Sequence, residues 1–79
     1  MKLKEETVSK VEFDSSIIAT CTYNHLTKTL RVEFKNKSIY EYYDVDEESF
    51  LKFKYAESQG HAISDIIKGK FDYRKLTNL

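Results

Sequence analysis

The feature that most constrains this chain is a strict alternation of apolar and polar side chains over residues 29–35. Leu30, Val32 and Phe34 fall on one side of this segment, and charged residues fall between them on the other side. A period of two is that of a β-strand with one face buried and the other in water. We therefore expect a sheet with a single apolar face at the centre of the fold.

Neighbouring segments extend this pattern into a small sheet. Residues 17–23 are rich in Ile and Thr, which favour strands, and turn-forming residues separate them from residues 29–35. Loops this short join antiparallel neighbours, because a parallel crossover needs a dozen residues or more. The predicted strands cover residues 8–13, 17–23, 29–35 and 38–43, the first of them a short edge strand.

Helical signals follow the strands. Either aspartate of Asp44-Val45-Asp46 is suited to cap a helix N-terminus. Apolar residues at a spacing of three predict a first helix over residues 47–58, which Gly60 would end, and a second over residues 61–67, which Gly69 would end. The expected fold class is α+β, an antiparallel three- or four-stranded meander sheet followed by two helices packed on one face.

The face on which two tyrosines lie depends on the length of one hairpin loop. A two-residue loop at Asn36-Lys37 places Tyr40 and Tyr42 on the charged face of the preceding strand. A three-residue loop over residues 36–38 places both tyrosines beside Leu30 and Val32, since a shift of one residue turns every side chain to the other face. We prefer the second register, because it keeps the intervening glutamate out of the core.

Size and composition set the class of protein. The 79 residues are enough for one small core and too few for two. We expect a partly disordered N-terminal segment over residues 1–10 and a single domain over residues 11–79. No run of about eighteen apolar residues exists, so no membrane span is predicted. Cys21 is the only cysteine, which favours a reducing, cytoplasmic location and a buried thiol.

Chemistry-bearing motifs are scarce. The chain has one cysteine and two histidines, and their positions match neither a zinc spacing nor a nucleophile with an adjacent base. No phosphate-binding glycine loop and no hydrolase motif occurs. We therefore predict that the protein is not an enzyme and holds no cofactor and no metal.

The net charge of zero conceals strong local sorting. Thirteen basic residues balance thirteen acidic ones, which argues against a generally basic nucleic-acid binder. Residues 28–37 carry four basic side chains against one acid, and residues 68–75 do the same. Residues 41–48 contain five acids and no base. A local basic patch is therefore compatible with the neutral total, provided that the two basic segments meet in space.

The order of several motifs resembles one known family. They are Ser15-Ser16-x-Ile18, Thr27-x-Thr29-Leu30-x-Val32-x-Phe34, Tyr40-x-Tyr42-x-x-Val45, Phe50-x-x-Phe53-x-x-Ala56-x-Ser58-x-Gly60 and Ile67-Lys68-x-x-Phe71-x-Tyr73. Together they resemble the KTSC domain, a small domain found alone and at the C-terminus of some lysyl-tRNA synthetases. The family usually has glycine after the turn asparagine, where this chain has Lys37. The resemblance implies no established activity, and its association with a tRNA synthetase implies a role in RNA binding.

Two functions from different classes follow as hypotheses. The first is a module that binds RNA or single-stranded nucleic acid, with tyrosines stacking on bases and basic side chains holding phosphates. The alternative is a protein-interaction or regulatory accessory module that pairs an exposed edge strand with a partner. The candidate nucleic-acid-binding residues are Arg31, Lys35, Lys37, Tyr40, Tyr42, Tyr43, Lys68, Lys70, Arg74 and Lys75.

Overall fold

In a computed structural model, residues 7–76 are described and form a five-stranded antiparallel sheet with helices between its last two strands. The strands are β1 (Val8–Glu12), β2 (Ile18–Asn24), β3 (Thr29–Phe34), β4 (Ile39–Tyr42) and β5 (Tyr73–Lys75). Between β4 and β5 lie α1 (Glu47–Lys54), α2 (Gln59–Ala62) and a π-helical turn (Ile63–Ile67). The α+β class and the antiparallel meander are confirmed, and the sheet has five strands rather than three or four.

The predicted disordered segment over residues 1–10 overlaps the described residues only in part. Residues 1–6 of the expected disordered segment lie outside the described residues. Val8 begins β1, which pairs with β2 along its whole length, so the predicted edge strand is confirmed.

The two tyrosines of the hairpin between β3 and β4 lie on the face that we predicted for them. Tyr42 lies opposite Leu30 and Tyr40 lies opposite Val32, on the apolar face of the sheet. The three-residue loop is residues 35–37 rather than 36–38, because the Phe34 N–H donates to the Ser38 carbonyl at 2.8 Å. An odd loop length preserves the face in either case, which is why the prediction of the face is right.

Pairing across all five strands arranges the side chains in rows. Two rows face the helices, and one row between them faces the opposite side of the sheet. The rows facing the helices are Ser9, Tyr23, Leu30, Tyr42, Tyr73 and Val11, Cys21, Val32, Tyr40, Lys75, and the row facing away is Lys10, Thr22, Arg31, Glu41, Arg74.

The helices cover the apolar face at the centre of the sheet. Phe50 and Phe53 of α1 are buried there, and Ile63 and Ile67 of the π-helical turn complete the core. The Phe50 ring stacks on Tyr23 with the ring centroids 4.3 Å apart. Burying the larger of these side chains stabilises the fold by roughly 1.5–3 kcal/mol each.

Gly60 does not end the first helix, and that prediction is wrong. α1 ends at Lys54, and Ser58 caps a separate helix, α2, in which Gly60 lies. A Cβ at Gly60 would lie 2.7 Å from the Cδ1 atom of Ile17. α2 therefore lies close to the Ile17 side chain, which would have to shift if Gly60 carried a Cβ. Gly69 has a φ of +82° just after the π-helical turn, as expected for a helix stop.

Candidate nucleic-acid interface

Four aromatic rings and one lysine lie together where β3, β4 and β5 meet on the side of the sheet that faces the helices. The row geometry explains this, since β4 places Tyr40 and Tyr42 on that side and β5 sets one residue opposite each of them. The helices do not extend over β5, so its side chains are exposed. We call this group the aromatic edge, and its members are Phe34, Tyr40, Tyr42, Tyr73 and Lys75.

The rings of the aromatic edge form one continuous surface. The Tyr40 and Tyr73 centroids are 5.7 Å apart, and those of Tyr42 and Tyr73 are 5.8 Å apart. Phe34 meets Tyr40 edge-on at 5.7 Å. The Lys75 ammonium lies 5.8 Å from the centroid of the Tyr40 ring, within the range of a cation–π contact.

The three tyrosines of the aromatic edge differ in their exposure to solvent. Tyr42 is 2% exposed and belongs to the core, whereas Tyr73 is 58% exposed and Tyr40 is half-buried. Burial raises the pKa of the Tyr42 phenol, and Tyr40 and Tyr73 add to this effect, so the ring stays neutral. Tyr42 therefore packs beneath the surface, while Tyr40 and Tyr73 are accessible to solvent on it.

Three of the predicted residues lie on the opposite face of the sheet. Arg31 and Arg74 both lie across from Glu41, and the Arg31 guanidinium is 3.4 Å from its carboxylate. The Tyr43 hydroxyl donates to the same carboxylate at 3.1 Å. Burial raises the pKa of Tyr43, and the bond to Glu41 raises it further. This cluster is held together by one acid and is separated from the aromatic edge by the sheet.

The remaining predicted lysines lie around the aromatic edge or in the adjacent hairpin. Lys35 and Lys37 belong to the loop after β3. Lys68 shares a cleft with Tyr40, and Lys70 shares a hollow with Tyr73. The second basic segment thus supplies three lysines near the aromatic edge, with Lys75 the third.

Residues 14–71 match the KTSC domain. This chain belongs to the KTSC domain family. It is 34% identical over 64 residues to a lysine-tRNA ligase from Nostoc punctiforme and 36% identical over 64 residues to one from Trichormus variabilis. Each match covers 81% of this chain and 11% of the ligase, so the chain spans about a ninth of the length of these relatives.

A solved structure has the same fold as this KTSC domain. The crystal structure of a KTSC domain protein from Yersinia pestis superposes on it with a TM-score of 0.82 at 30% identity. The match covers 89% of this chain and 99% of the other. The arrangement of strands and helices is therefore shared with a protein solved experimentally.

Tyr73 belongs to the aromatic edge but is not among the candidate residues that the sequence predicts. The sequence pattern predicts no strand after the second helix, and Tyr73 begins β5. Its spacing of two from Lys75 is the one signal that could have placed both on the same face. Phe71 of the same segment is partly buried against the core.

Other chemistry in this KTSC domain is limited within residues 7–76. Cys21 is buried, and burial raises the pKa of its thiol to about 12, so it has little thiolate at neutral pH. No group of three His, Cys, Asp or Glu side chains in that range is placed to hold a metal ion. No helix in the same range is long and apolar enough to cross a membrane.

Proposed function

We propose that this KTSC domain is a small non-enzymatic module that binds single-stranded RNA on its aromatic edge. The observation that carries the proposal is the exposed Tyr73 ring beside Tyr40, with the Lys75 ammonium 5.8 Å from the centre of the Tyr40 ring. Base stacking on aromatic rings contributes about 1–3 kcal/mol for each base in single-strand binders. A lysine beside the ring adds attraction for the phosphate that joins two stacked bases.

Two further observations support RNA as the ligand. Lys68 lines a cleft with Tyr40, and Lys70 lines a hollow with Tyr73 and Asp72, so basic side chains adjoin the rings although the chain as a whole is neutral. The curated relatives are lysine-tRNA ligases, whose names state an RNA substrate. The proposed role in this chain is to hold an unpaired RNA segment, a task that needs no covalent step.

The test is a titration of labelled uridine decamer, followed by fluorescence anisotropy, with the full chain and its variants. Tyr73→Ala removes the exposed ring and should weaken binding roughly tenfold or more, while Tyr73→Phe keeps the ring and should bind like the native protein. Lys75→Met keeps the aliphatic contact but removes the charge. It should lower the slope of log affinity against log salt by about 0.7.

Tyr55 provides a matched control. It is 72% exposed, and the Lys54 ammonium lies 5.0 Å from its ring centroid, but it lies at the end of α1 away from the sheet. Tyr55→Ala should leave binding unchanged. Equal losses of RNA affinity in Tyr73→Ala and Tyr55→Ala would refute the assignment of the binding site to the aromatic edge. Absence of native binding at about 50 mM salt would refute the function.

A protein partner is the second proposal. β1 is an edge strand, and its outer side meets no other strand among residues 7–76. An extended peptide from a partner would add to the sheet there. A crosslinking experiment that recovered only nucleic acid would count against this alternative. A cytoplasmic location is proposed with either function, on the evidence of the single cysteine.

A further inference from the structure

A small cleft lies beside the aromatic edge. Its volume is about 170 Å³. Three aromatic rings and three polar side chains line it, and two of the polar side chains come from the loop that joins β3 to β4. The lining residues are Phe34, Tyr40, Tyr42, Asn36, Ser38 and Lys68.

The π-helical turn determines the position of Lys68 at this cleft. The Lys68 N–H donates to the Ile63 carbonyl at 2.6 Å, and the backbone of Lys68 is extended. The chain therefore leaves the helical turn at this residue. Its side chain is exposed and forms no ion pair within the described part of the chain. An ammonium group offers only hydrogen-bond donors.

The hairpin loop leaves a second donor for a ligand. Asn36 Oδ1 accepts a hydrogen bond from the Ser38 N–H at 2.9 Å. With its oxygen engaged in the turn, the Asn36 side chain has its NH₂ group available, and that group is a donor. The Ser38 carbonyl is also occupied, by the Phe34 N–H. Asn36 and Lys68 thus contribute hydrogen-bond donors to the polar side of the cleft, and the Ser38 hydroxyl can donate or accept. Tyr40 provides an aromatic ring on the other side.

From this geometry we infer that the cleft selects nucleobases with a carbonyl oxygen at pyrimidine C4 or purine C6, as in uracil and guanine, over cytosine and adenine, which have an amino group there. The inference rests on the proposed function, because it specifies which bases the same site prefers. A keto oxygen accepts from Asn36 and Lys68, whereas an amino group at the same ring position brings a donor against donors. Desolvated donors left without acceptors lower affinity.

The experiment compares bases that differ at that ring position and have the same ring size. Uridine and cytidine decamers form one pair, and inosine and adenosine hexamers form the other. The native chain should bind the keto member of each pair about tenfold more tightly, which corresponds to roughly one hydrogen bond gained in place of a mismatch.

Three variants test whether the cleft is responsible for the base preference. Asn36→Asp keeps the oxygen that accepts from Ser38 and replaces the NH₂ donor by an acceptor, so the preference should shift toward cytidine and adenosine. Lys68→Met should reduce the ratio of keto to amino affinities severalfold. Lys10→Met removes the same charge from the opposite face of the sheet and should leave the ratio unchanged. The ratio is insensitive to general charge loss, because both polymers carry the same phosphates.

The outcomes separate this inference from the proposed function. If none of the polymers binds, both the base preference and the proposed function are refuted. Binding of all four polymers with equal affinity would leave the RNA-binding module standing and refute the base preference. An unchanged ratio in Asn36→Asp, with native unfolding behaviour, would also refute it.

Discussion

Asp46 shows how one side chain links the stability of this domain to pH. Its carboxylate accepts from the Ser49 hydroxyl at 2.8 Å and from the Ser49 N–H at 3.2 Å, which caps helix α1. The Ser49 hydroxyl is the largest cause that holds the pKa of Asp46 below its ordinary value of 3.8. A carboxyl group with a lowered pKa in the folded state stabilises the fold above its unfolded pKa, and that contribution is lost as the pH falls through the folded value.

Asp46→Asn should therefore flatten the pH dependence below about pH 4, because asparagine caps a helix as well as aspartate but does not titrate there. The measurement is the free energy of unfolding in urea from neutral to acidic pH. Asp46→Ala should lower stability even at neutral pH, since it removes the cap. If the free energy of unfolding depends on pH in the same way in the native chain and in Asp46→Asn, Asp46 is not the source of this pH dependence.

Lys37 occupies a backbone conformation that suits glycine. Its φ of 76° lies in the left-handed region, at the position where the family usually has glycine. Lys37→Gly should raise stability by about 0.5–1 kcal/mol, the strain relieved less the added freedom of glycine in the unfolded chain. Thermal unfolding would show this as a midpoint higher by a few degrees. Lys37→Ala removes the same side chain but keeps the Cβ, and a gain of equal size there would contradict the explanation.

At the scale of elements, a hydrogen-bonded chain of three side chains fastens edge strand β1 to helix α1. His25 Nε2 is 2.8 Å from the Ser9 hydroxyl, and His25 Nδ1 is 2.8 Å from the Glu47 carboxylate. With the proton on Nδ1, the ring donates to Glu47 and accepts from Ser9. The edge of the ring packs on Tyr23, which itself donates to the Val45 carbonyl. The start of α1 is thereby tied to the outermost strand on that side.

His25→Ala should destabilise the domain by about 1–2 kcal/mol, since two hydrogen bonds are lost together with a packed ring. Denaturant unfolding would show a lower midpoint with an unchanged slope. His61 is the control, because it is an exposed histidine of α2. An equal unfolding midpoint for His25→Ala and His61→Ala would show that the hydrogen bonds through His25 contribute nothing to stability.

The elements also show which parts of the fold are predictable from sequence. β2, β3 and β4 follow from alternation and short turns, both of which are local signals. β5 has three residues, all exposed, and no alternation of its own, so it becomes a strand only because β4 offers a free edge. The first helix ends early, at Lys54, and Ser58 caps a separate helix α2, a division that the spacing of apolar residues did not indicate.

At the scale of the whole molecule, the sheet sorts the charges into two unlike surfaces. On the face away from the helices, the Glu41 carboxylate pairs with the Arg31 guanidinium, and Arg74 lies across from Glu41 in the neighbouring strand. On the other face, Lys68 and Lys75 adjoin aromatic rings. Sequence pattern identified Arg74 and Lys75 as candidates, but it could not assign them to a face of the sheet, because that depends on the pairing of β5 with β4, more than thirty positions away.

The order in which the chain is made has a consequence for this surface. Strands β2, β3 and β4 each pair with the strand just before them across a short loop, so each gains its partner as it emerges during synthesis. Tyr73 and Lys75 arrive only after both helices have been made. The surface proposed to hold RNA is therefore the last part of the domain to be completed, and a nascent chain has most of its core before it has a place to bind.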